Sequence, residues 1–493
     1  MPHLARFRYA ALRLLNHRYP RRVTVRLYDS KAQAVTDLVP LTPGEIGMYV
    51  CGPTVQSSPH IGHLRSALVY DLWRRWLTYR GFGVTLVRNV TDIDDKILAS
   101  ADGTREPWWA LAYRFELEFT DGYNRLGILP PTYEPRATAS IGEMQRIIEL
   151  LIERGHAYAA ADDSGDVYFD TTSWPTYGEL TRQKADDMVA ATDADPRAKR
   201  DPRDFALWKG QKPTEPADAS WPSPWGDGRP GWHIECSAMS RRYLGAAFDI
   251  HGGGLDLRFP HHENELAQSM AAGDPFASYW VHNGLVNVNG QKMSKSLGNS
   301  IFAAEFLAMA PPLVVRYFLG AAHYRSTIDY HDGALEEAEA ALARIESFLD
   351  RADRRLEATK FAGSGVEIVP DAFGAAMDDD LAVPQALGVL HETVRAGNAA
   401  LDNEELAAAA SARGHVLAMV EVLGINPLNP EWRAGASEAP ERALGSLVEA
   451  LIADRNAARA AKDFGAADRI RDELAAAGIT VEDGPAGTHW SIS

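Results

Sequence analysis

Three sets of residues in this chain have types and spacings that could do chemistry. His60 and His63 stand three apart in the stretch CGPTVQSSPHIGHLR, with Pro59 in front and Gly62 between them. Backbone N–H groups at a helix start attract phosphate, and two histidines there add donors aimed at the same anion. Far downstream, Lys292 and Lys295 stand in Lys292-Met-Ser-Lys-Ser296, two amines and two hydroxyls in a Gly-flanked polar loop. The third set uses both cysteines of the chain, Cys51 and Cys236, with His261 and Glu265 four apart on one helix face. Two thiols, an imidazole and a carboxylate make a tetrahedral zinc site. Spacing alone favours another reading, two buried thiols beside a helix ion pair, because the ligands are scattered and no CxxC is present.

The elements that must position these groups alternate between strand and helix. Val23 to Tyr28 and Ile46 to Cys51 read as strands. The histidine turn then leads into a helix on which Leu64, Leu68, Leu72, Trp76 and Leu77 recur at helical spacing. Val84 to Val90 is a third strand, which completes a βαβ unit and predicts a parallel sheet with a right-handed crossover. Asn89-Val-Thr-Asp-Ile-Asp-Asp-Lys96 follows at the carboxyl end of that strand, the edge where open parallel sheets bind ligands. The rhythm breaks between about Trp108 and Pro230. A helix over Ile141 to Gly155, a strand at Asp166 to Asp170 and a Pro-, Asp- and Lys-rich passage from Asp193 to Pro230 read as an insertion. The sheet is expected to resume at Gly231 to Cys236, followed by a helix through Tyr243 and a strand from Ala247 to His251. Gly252-Gly-Gly254 ends that strand where a ligand can approach the backbone. A helix within Leu257 to Ala272 then carries His261, His262, Glu263 and Glu265.

Composition bounds the function. The 493 residues suit roughly three domains. No apolar run reaches the ~18 residues of a transmembrane span, so no membrane partner is expected. A net charge of −17 argues against general affinity for nucleic acid, so an RNA partner would need local basic patches. Two cysteines exclude a disulfide scaffold and fit a reducing cytoplasm. Residues 1–22 hold Arg6, Arg8, Arg13, Arg18, Arg21 and Arg22 with no acid. They read as a disordered basic extension or as the product of a start codon set too far upstream, with a transit peptide or an RNA-touching arm as alternatives.

Seven motifs stand in one order: Cys51-Gly-Pro-Thr54, His60-Ile-Gly-His63, Thr91-Asp-Ile-Asp-Asp-Lys96, Gly231-Trp-His-Ile-Glu-Cys-Ser-Ala-Met239, Phe248-Asp-Ile-His-Gly-Gly-Gly254, Phe259-Pro-His-His-Glu-Asn-Glu265 and Lys292-Met-Ser-Lys-Ser296. The second and last resemble the HIGH and KMSKS motifs of class I aminoacyl-tRNA synthetases. The set as a whole resembles the cysteinyl-tRNA synthetase family, from about Val23 to the C-terminus. The resemblance implies ATP-dependent activation of L-cysteine and its transfer to the 3′ end of tRNA(Cys). It implies a Zn2+ ion on Cys51, Cys236, His261 and Glu265, and Mg2+ arriving with ATP. It also implies a cysteine pocket of Thr91, Trp232 and His251. ATP is expected on Pro53, His60, Gly62, His63, Asp256, Lys292, Met293, Ser294, Lys295 and Ser296, with His60, His63, Lys292 and Lys295 acting catalytically. A soft-ligand metal explains how a site can prefer cysteine over serine, since a plain pocket separates near isosteres poorly. Gln56-Ser57 departs from the aromatic-acid pair that many members carry after Cys51-Gly-Pro-Thr-Val55.

The expected organisation is a basic extension (1–22) and a Rossmann-like α/β catalytic domain in two halves (23–107 and 231–284) around an inserted subdomain (108–230). A KMSKS loop and stem-contact region (285–332), a helical bundle (333–425) and a small α+β anticodon-binding domain (441–493) follow. In the last, Arg455, Arg459, Lys462, Arg469, Arg471 or an aromatic such as Trp490 would meet unpaired bases. A monomer is expected. The rival readings are the mycothiol-pathway ligase that joins cysteine to glucosaminyl-inositol, and an inactive paralogue that only binds tRNA.

Overall fold

The computed structural model describes residues 24–182, 198–293, 298–363, 365–433, 438–484 and 487–492. The basic extension and Ser294, Lys295 and Ser296 lie outside the described residues. The chain divides into two compact units, Met1–Asn426 and Pro427–Ser493.

The first strand, β1 (Arg26–Asp29), departs from the expected βαβ role. It pairs antiparallel with β2 (Ala34–Asp37) as a hairpin outside the parallel sheet. Only four residues separate the two strands, with Gln33 at φ +56° completing the turn, and a link that short permits an antiparallel return only. The parallel sheet begins with β3 (Glu45–Val50), passes through α1 (Ile61–Tyr79) to β4 (Gly83–Arg88), and is completed far downstream.

Between these halves lie α2 (Asp95–Ala101), α3 (Trp108–Arg125) and α4 (Ile141–Glu153). Residues 132–137 run beside β4, where Arg88 N–H donates to the Tyr133 carbonyl at 3.1 Å and Val90 N–H to that of Pro135 at 2.8 Å. A second, antiparallel sheet follows, built in order from β5 (Ala157–Ala159), β6 (Val167–Phe169), β7 (Phe205–Gly210) and β8 (Gly228–Pro230).

The segment expected to resume the sheet is instead the start of α5 (Trp232–Leu244). Its bulky run reads locally as a strand, but Trp232, Cys236 and Met239 recur at helical spacing, and that period prevails. Next come β9 (Ala247–Gly254), α6 (Glu263–Ala271) and β10 (Phe276–Asn283). The helix expected within Leu257 to Ala272 begins only at Glu263, so His261 and His262 precede it instead of lying on it. Phe259, forced extended by the following Pro260, sits at φ −140°, ψ 135° and leaves a wide turn over Arg258–His262.

The parallel sheet has the order β10-β9-β3-β4. Strand order therefore reverses between β3 and β9, and a crevice opens beyond their carboxyl ends, the ligand position of doubly wound folds. A small sheet of β11 (Val286–Val288), β12 (Gln291–Lys292) and β13 (Ile328–Tyr330) flanks α7 (Ala303–Met309) and α8 (Pro312–Ala321).

Four helices finish the first unit: α9 (Ala334–Leu356), α10 (Asp371–Asp378), α11 (Val383–Asp402) and α12 (Leu406–Leu423). Helix α12 has the length and hydropathy of a membrane span, and it is packed among α9, α11 and α1. The second unit holds α13 (Pro430–Arg433), α14 (Glu438–Ala460), α15 (Phe464–Ala476) and the hairpin β14 (Ile479–Gly484) and β15 (Gly487–Ile492). Its core is Val448, Ile452, Leu474 and Ile479, and Trp490 packs against that core rather than standing free as a stacking platform.

Candidate active site

Cys51 follows the last residue of β3, and its N–H donates to the Gly252 carbonyl on β9 at 3.0 Å. The cysteine thus sits at the reversal of strand order. Helix α5 presents Cys236 to it, the wide turn presents His261, and α6 presents Glu265; one ligand atom from each lies within 4.8 Å of the others. The two sulfurs are 3.6 Å apart, Cys51 Sγ is 3.3 Å from Glu265 Oε1, and His261 Nε2 is 3.0 Å from the same oxygen. All four residues are buried.

Burial raises the Cys51 thiol well above its usual range, helped by Cys236 and Glu265. Burial also pushes Cys236 up, but the hydrogen bond from Cys51 and the nearby His261 outweigh it and bring that thiol to about 6. Burial opposes the His261 charge, yet Glu265 and Cys236 raise its pKa to about 10. Glu265 is held well below the carboxylate range, because His251 and His261 overcome its desolvation. Cys51 and His261 thus hold protons beside an anionic Cys236 and Glu265. A tetrahedral ion with bonds of about 2.0–2.3 Å has edges of about 3.3–3.8 Å. The S–S and S–O separations match such edges, so the donor set fits a dication that would replace those protons.

A further shell surrounds this cluster. His251 Nε2 lies 2.8 Å from Glu265 Oε2, and its ring stacks on Trp280 with centroids 4.5 Å apart. Trp232, half-buried, stacks on His261 at 4.1 Å. Thr91 Oγ1 lies 2.6 Å from Glu235 Oε2, one helical turn beyond Trp232. The structure thus brings Trp232 and His251 against the candidate ligands, and ties Thr91 through Glu235 to the helix that carries Cys236.

Sequence reasoning missed Asn89, His233, His262 and His282. Asn89 Oδ1 accepts from Gly52 N–H at 2.8 Å and approaches Cys236 Sγ at 3.6 Å. His233 Nδ1 meets His261 Nδ1 at 3.0 Å. His262 Nδ1 lies 2.8 Å from His282 Nε2, whose ring in turn reaches Ser30 Oγ at 2.8 Å. Burial holds both rings neutral, His282 at about 3 and His262 well below its usual value. Three of the four lie inside or directly beside quoted motifs. The position of His282 at the carboxyl end of a parallel strand was the signal available for the fourth.

The histidine turn is a reciprocal cap. His60 Nδ1 accepts from Gly62 N–H at 3.1 Å, and His63 Nδ1 accepts from His60 N–H at 3.1 Å. The rings stack with centroids 3.7 Å apart. With each Nδ1 accepting, the proton of a neutral ring resides on Nε2, which makes both rings donors.

Ile61 N–H donates to the Ile301 carbonyl at 3.1 Å, and Ala303 N–H to that of Pro59 at 2.8 Å. These bonds draw the chain after the lysine loop onto the histidine turn. The Met293 methyl lies 3.5 Å from the position a Cβ on Gly62 would take. Lys292 is exposed on β12, and Asp256 is exposed in the turn Leu255–Leu257 after β9. Neither touches the Cys51 cluster. Pro53 is buried, its carbonyl accepting from Thr91 N–H at 3.0 Å. Gln56 is half-buried, its N–H bonded to the Thr54 carbonyl at 2.9 Å.

Residues 37–340 match a family model described as tRNA synthetases class I (C) catalytic domain. Residues 372–428 match a DALR domain, and 441–490 a cysteinyl-tRNA ligase anticodon binding domain. A protein of Leifsonia xyli subsp. xyli described as cysteine–tRNA ligase is 74% identical over 475 residues, covering 95% of this chain and all of the relative. One of Clavibacter michiganensis with the same description is 71% identical over 481 residues, covering 95% of this chain and 99% of the relative.

Among solved structures, the chain is similar in fold to Mycobacterium tuberculosis methionyl-tRNA synthetase in complex with methionyl-adenylate. That likeness has a TM-score of 0.54 at 16% identity, over 77% of this chain and 90% of the other. It is also similar to the Agrobacterium radiobacter K84 LeuRS–tRNA–LeuAMS complex, at a TM-score of 0.57 and 12% identity over 80% and 85% of the two chains.

Proposed function

The chain belongs to the cysteinyl-tRNA synthetase family and is a class I cysteine–tRNA ligase, and from that premise we propose how its residues divide the work. The observation that carries the reading is the convergence of Cys51, Cys236, His261 and Glu265 beside Thr91, Trp232 and His251 at the strand-order reversal. These four residues would hold Zn2+. A soft-ligated dication supplies a Lewis acid that favours a substrate thiolate over a serine hydroxyl. Trp232 walls the pocket, and Thr91 and His251 orient the small substrate.

In the adenylation step the carboxylate of L-cysteine attacks the α-phosphorus of ATP, and the bond to pyrophosphate breaks. The charge that develops there meets the Nε2 donors of His60 and His63 and the first turn of α1. Gly62 leaves room for the phosphates. Lys292, with Lys295, Ser294, Ser296 and the Met293 backbone, closes over the leaving pyrophosphate with its Mg2+. Asp256 takes the ribose hydroxyls, and Pro53 shapes the floor of the nucleotide site. The cysteinyl group then passes to the terminal ribose of tRNA(Cys), which the 441–493 region reads at its anticodon end.

We assign the catalytic work to 23–107 and 231–284, with 108–230 inserted, 285–332 against the acceptor stem and 333–425 as the bundle. The protein is proposed to act as a cytoplasmic monomer. The test is cysteine-dependent pyrophosphate exchange with ATP, followed by transfer to purified tRNA. Exchange with transfer supports the assignment; no exchange from metal-loaded protein would overturn it.

A further inference from the structure

Of the Thr91–Lys96 motif, only Thr91 has a part in the chemistry above. Asp94 caps α2 by accepting from the Lys96 N–H at 2.9 Å. The inserted sheet grips the next residue. Lys209 on β7 lies 2.7 Å from Asp95, and Arg229 on β8 bonds Asp95 while also reaching Glu215 at 2.7 Å. Burial works against the Asp95 charge, but these two cations outweigh it and hold the carboxyl below its usual range. The first turn of α2 is thereby fixed beside the pocket. From that turn Lys96 extends its ammonium over the Trp232 ring, with Nζ 5.5 Å from the centroid. The side chain is exposed, and among the described residues no carboxylate pairs with it.

An α-amino acid offers three handles to a site. Its thiol belongs with the Cys51 cluster, and the Thr91 hydroxyl with its Glu235 partner supplies acceptors for its ammonium. Its carboxylate has to remain at the mouth of the pocket, since it must meet the α-phosphate held at the start of α1. A cation on the floor would draw it away, whereas a cation on the rim does not. We propose that Lys96 binds the α-carboxylate of the amino-acid substrate, so that the pocket selects a complete α-amino acid over an aminothiol that lacks this group. The proposal rests on the cysteine-activating reading above. Trp232 steadies the ammonium through its ring face. Lysine, a mobile point charge, can release the carboxylate once it becomes the uncharged acyl side of a mixed anhydride.

The experiment is calorimetric titration of the metal-loaded full-length protein with L-cysteine and with cysteamine, which keeps the thiol and amine but has no carboxylate. Lys96→Met keeps the apolar stem over Trp232 and should lose about tenfold in cysteine affinity, the scale of one charge-assisted bond at an exposed site. Cysteamine affinity and metal content should stay at wild-type values, and Lys96→Arg should recover most of the loss. An unchanged ratio of cysteine to cysteamine affinity in Lys96→Met overturns the proposal. So does a raised KM for ATP with cysteine affinity intact, because it would put the ammonium on phosphate. A wild-type protein that binds neither compound overturns the cysteine-activating reading itself, which separates the two failures.

Discussion

Glu265 joins several parts of the candidate chemistry. It is fully buried and touches Cys51, His251 and His261 at once. A residue so placed tolerates no loss of its neighbours. Cys236→Ser should lower bound metal, measured by elemental analysis, from stoichiometric to near zero. Unchanged metal content would remove Cys236 from the ligand set. Asn89 acts one step further out, holding the Cys51–Gly52 backbone. Asn89→Ala should weaken metal binding about ten- to hundredfold in a chelator competition, as losses of outer-shell partners do. His60→Ala removes both a helix cap and a phosphate donor. The cap is worth about 1 kcal/mol of stability, but exchange activity should fall about a hundredfold or more. A rate loss no larger than the stability loss would contradict the catalytic role.

At the level of elements, α1 is the member to which most of the first unit is tied. Arg65 donates to the Leu319 and His323 carbonyls. Asp71 lies between Arg75 at 2.8 Å and Arg316 at 2.7 Å, and Trp76 and Arg80 both bond Asp378. The helix whose first turn holds the histidines is therefore stapled along its length to α8, α10 and the end of α12. Asp71→Asn leaves two buried guanidinium groups unbalanced and should cost about 3–5 kcal/mol in chemical denaturation. Burial raises the Asp71 carboxyl, but Arg75 and Arg316 outweigh it and hold the pKa at about 2. A folded pKa below the unfolded value of about 3.9 means stability that is present above that value and lost as pH falls through the folded one. The gap between wild type and Asp71→Asn should hence narrow between about pH 4 and pH 2. A gap that is flat with pH would remove the ionic account.

Helix α1 was legible in the sequence because its apolar residues keep the helical period, β3 and β4 because each is a short apolar run, and β9 from the alternation of Phe248 and Ile250. The start of α5 was not, since Trp232 to Cys236 satisfies the local preferences of a strand, and only the longer i, i+4, i+7 register shows the helix. The neutral His262–His282–Ser30 chain was illegible for another reason. Its members come from a turn, a strand and a hairpin, and no local pattern encodes that meeting.

For the molecule as a whole, the second unit has a hydrophobic core of its own. A chain ending at Asn426 should retain cysteine-dependent exchange within about threefold and lose charging of tRNA by about two orders of magnitude, since contacts to the nucleic acid, not the chemistry, would be removed. Loss of exchange in a folded truncation would show that the second unit shapes the adenylation site. With Trp490 packed on that core and Arg455 buried, Arg459, Arg469 and Arg471 are the exposed arginines of α14 and α15 proposed to meet bases.

The two thiols that lie 3.6 Å apart are 185 residues apart along the chain. Closing so long a loop costs little more than closing a short one, because the entropy grows only with the logarithm of length. Its consequence lies in timing. A nascent chain leaving the ribosome presents Cys51 early, but the other three proposed ligands emerge only after the whole antiparallel insertion. On that ligand set, metal capture would be a late event of synthesis, and a chain stalled before residue 265 should remain without an ion even in metal-replete cells.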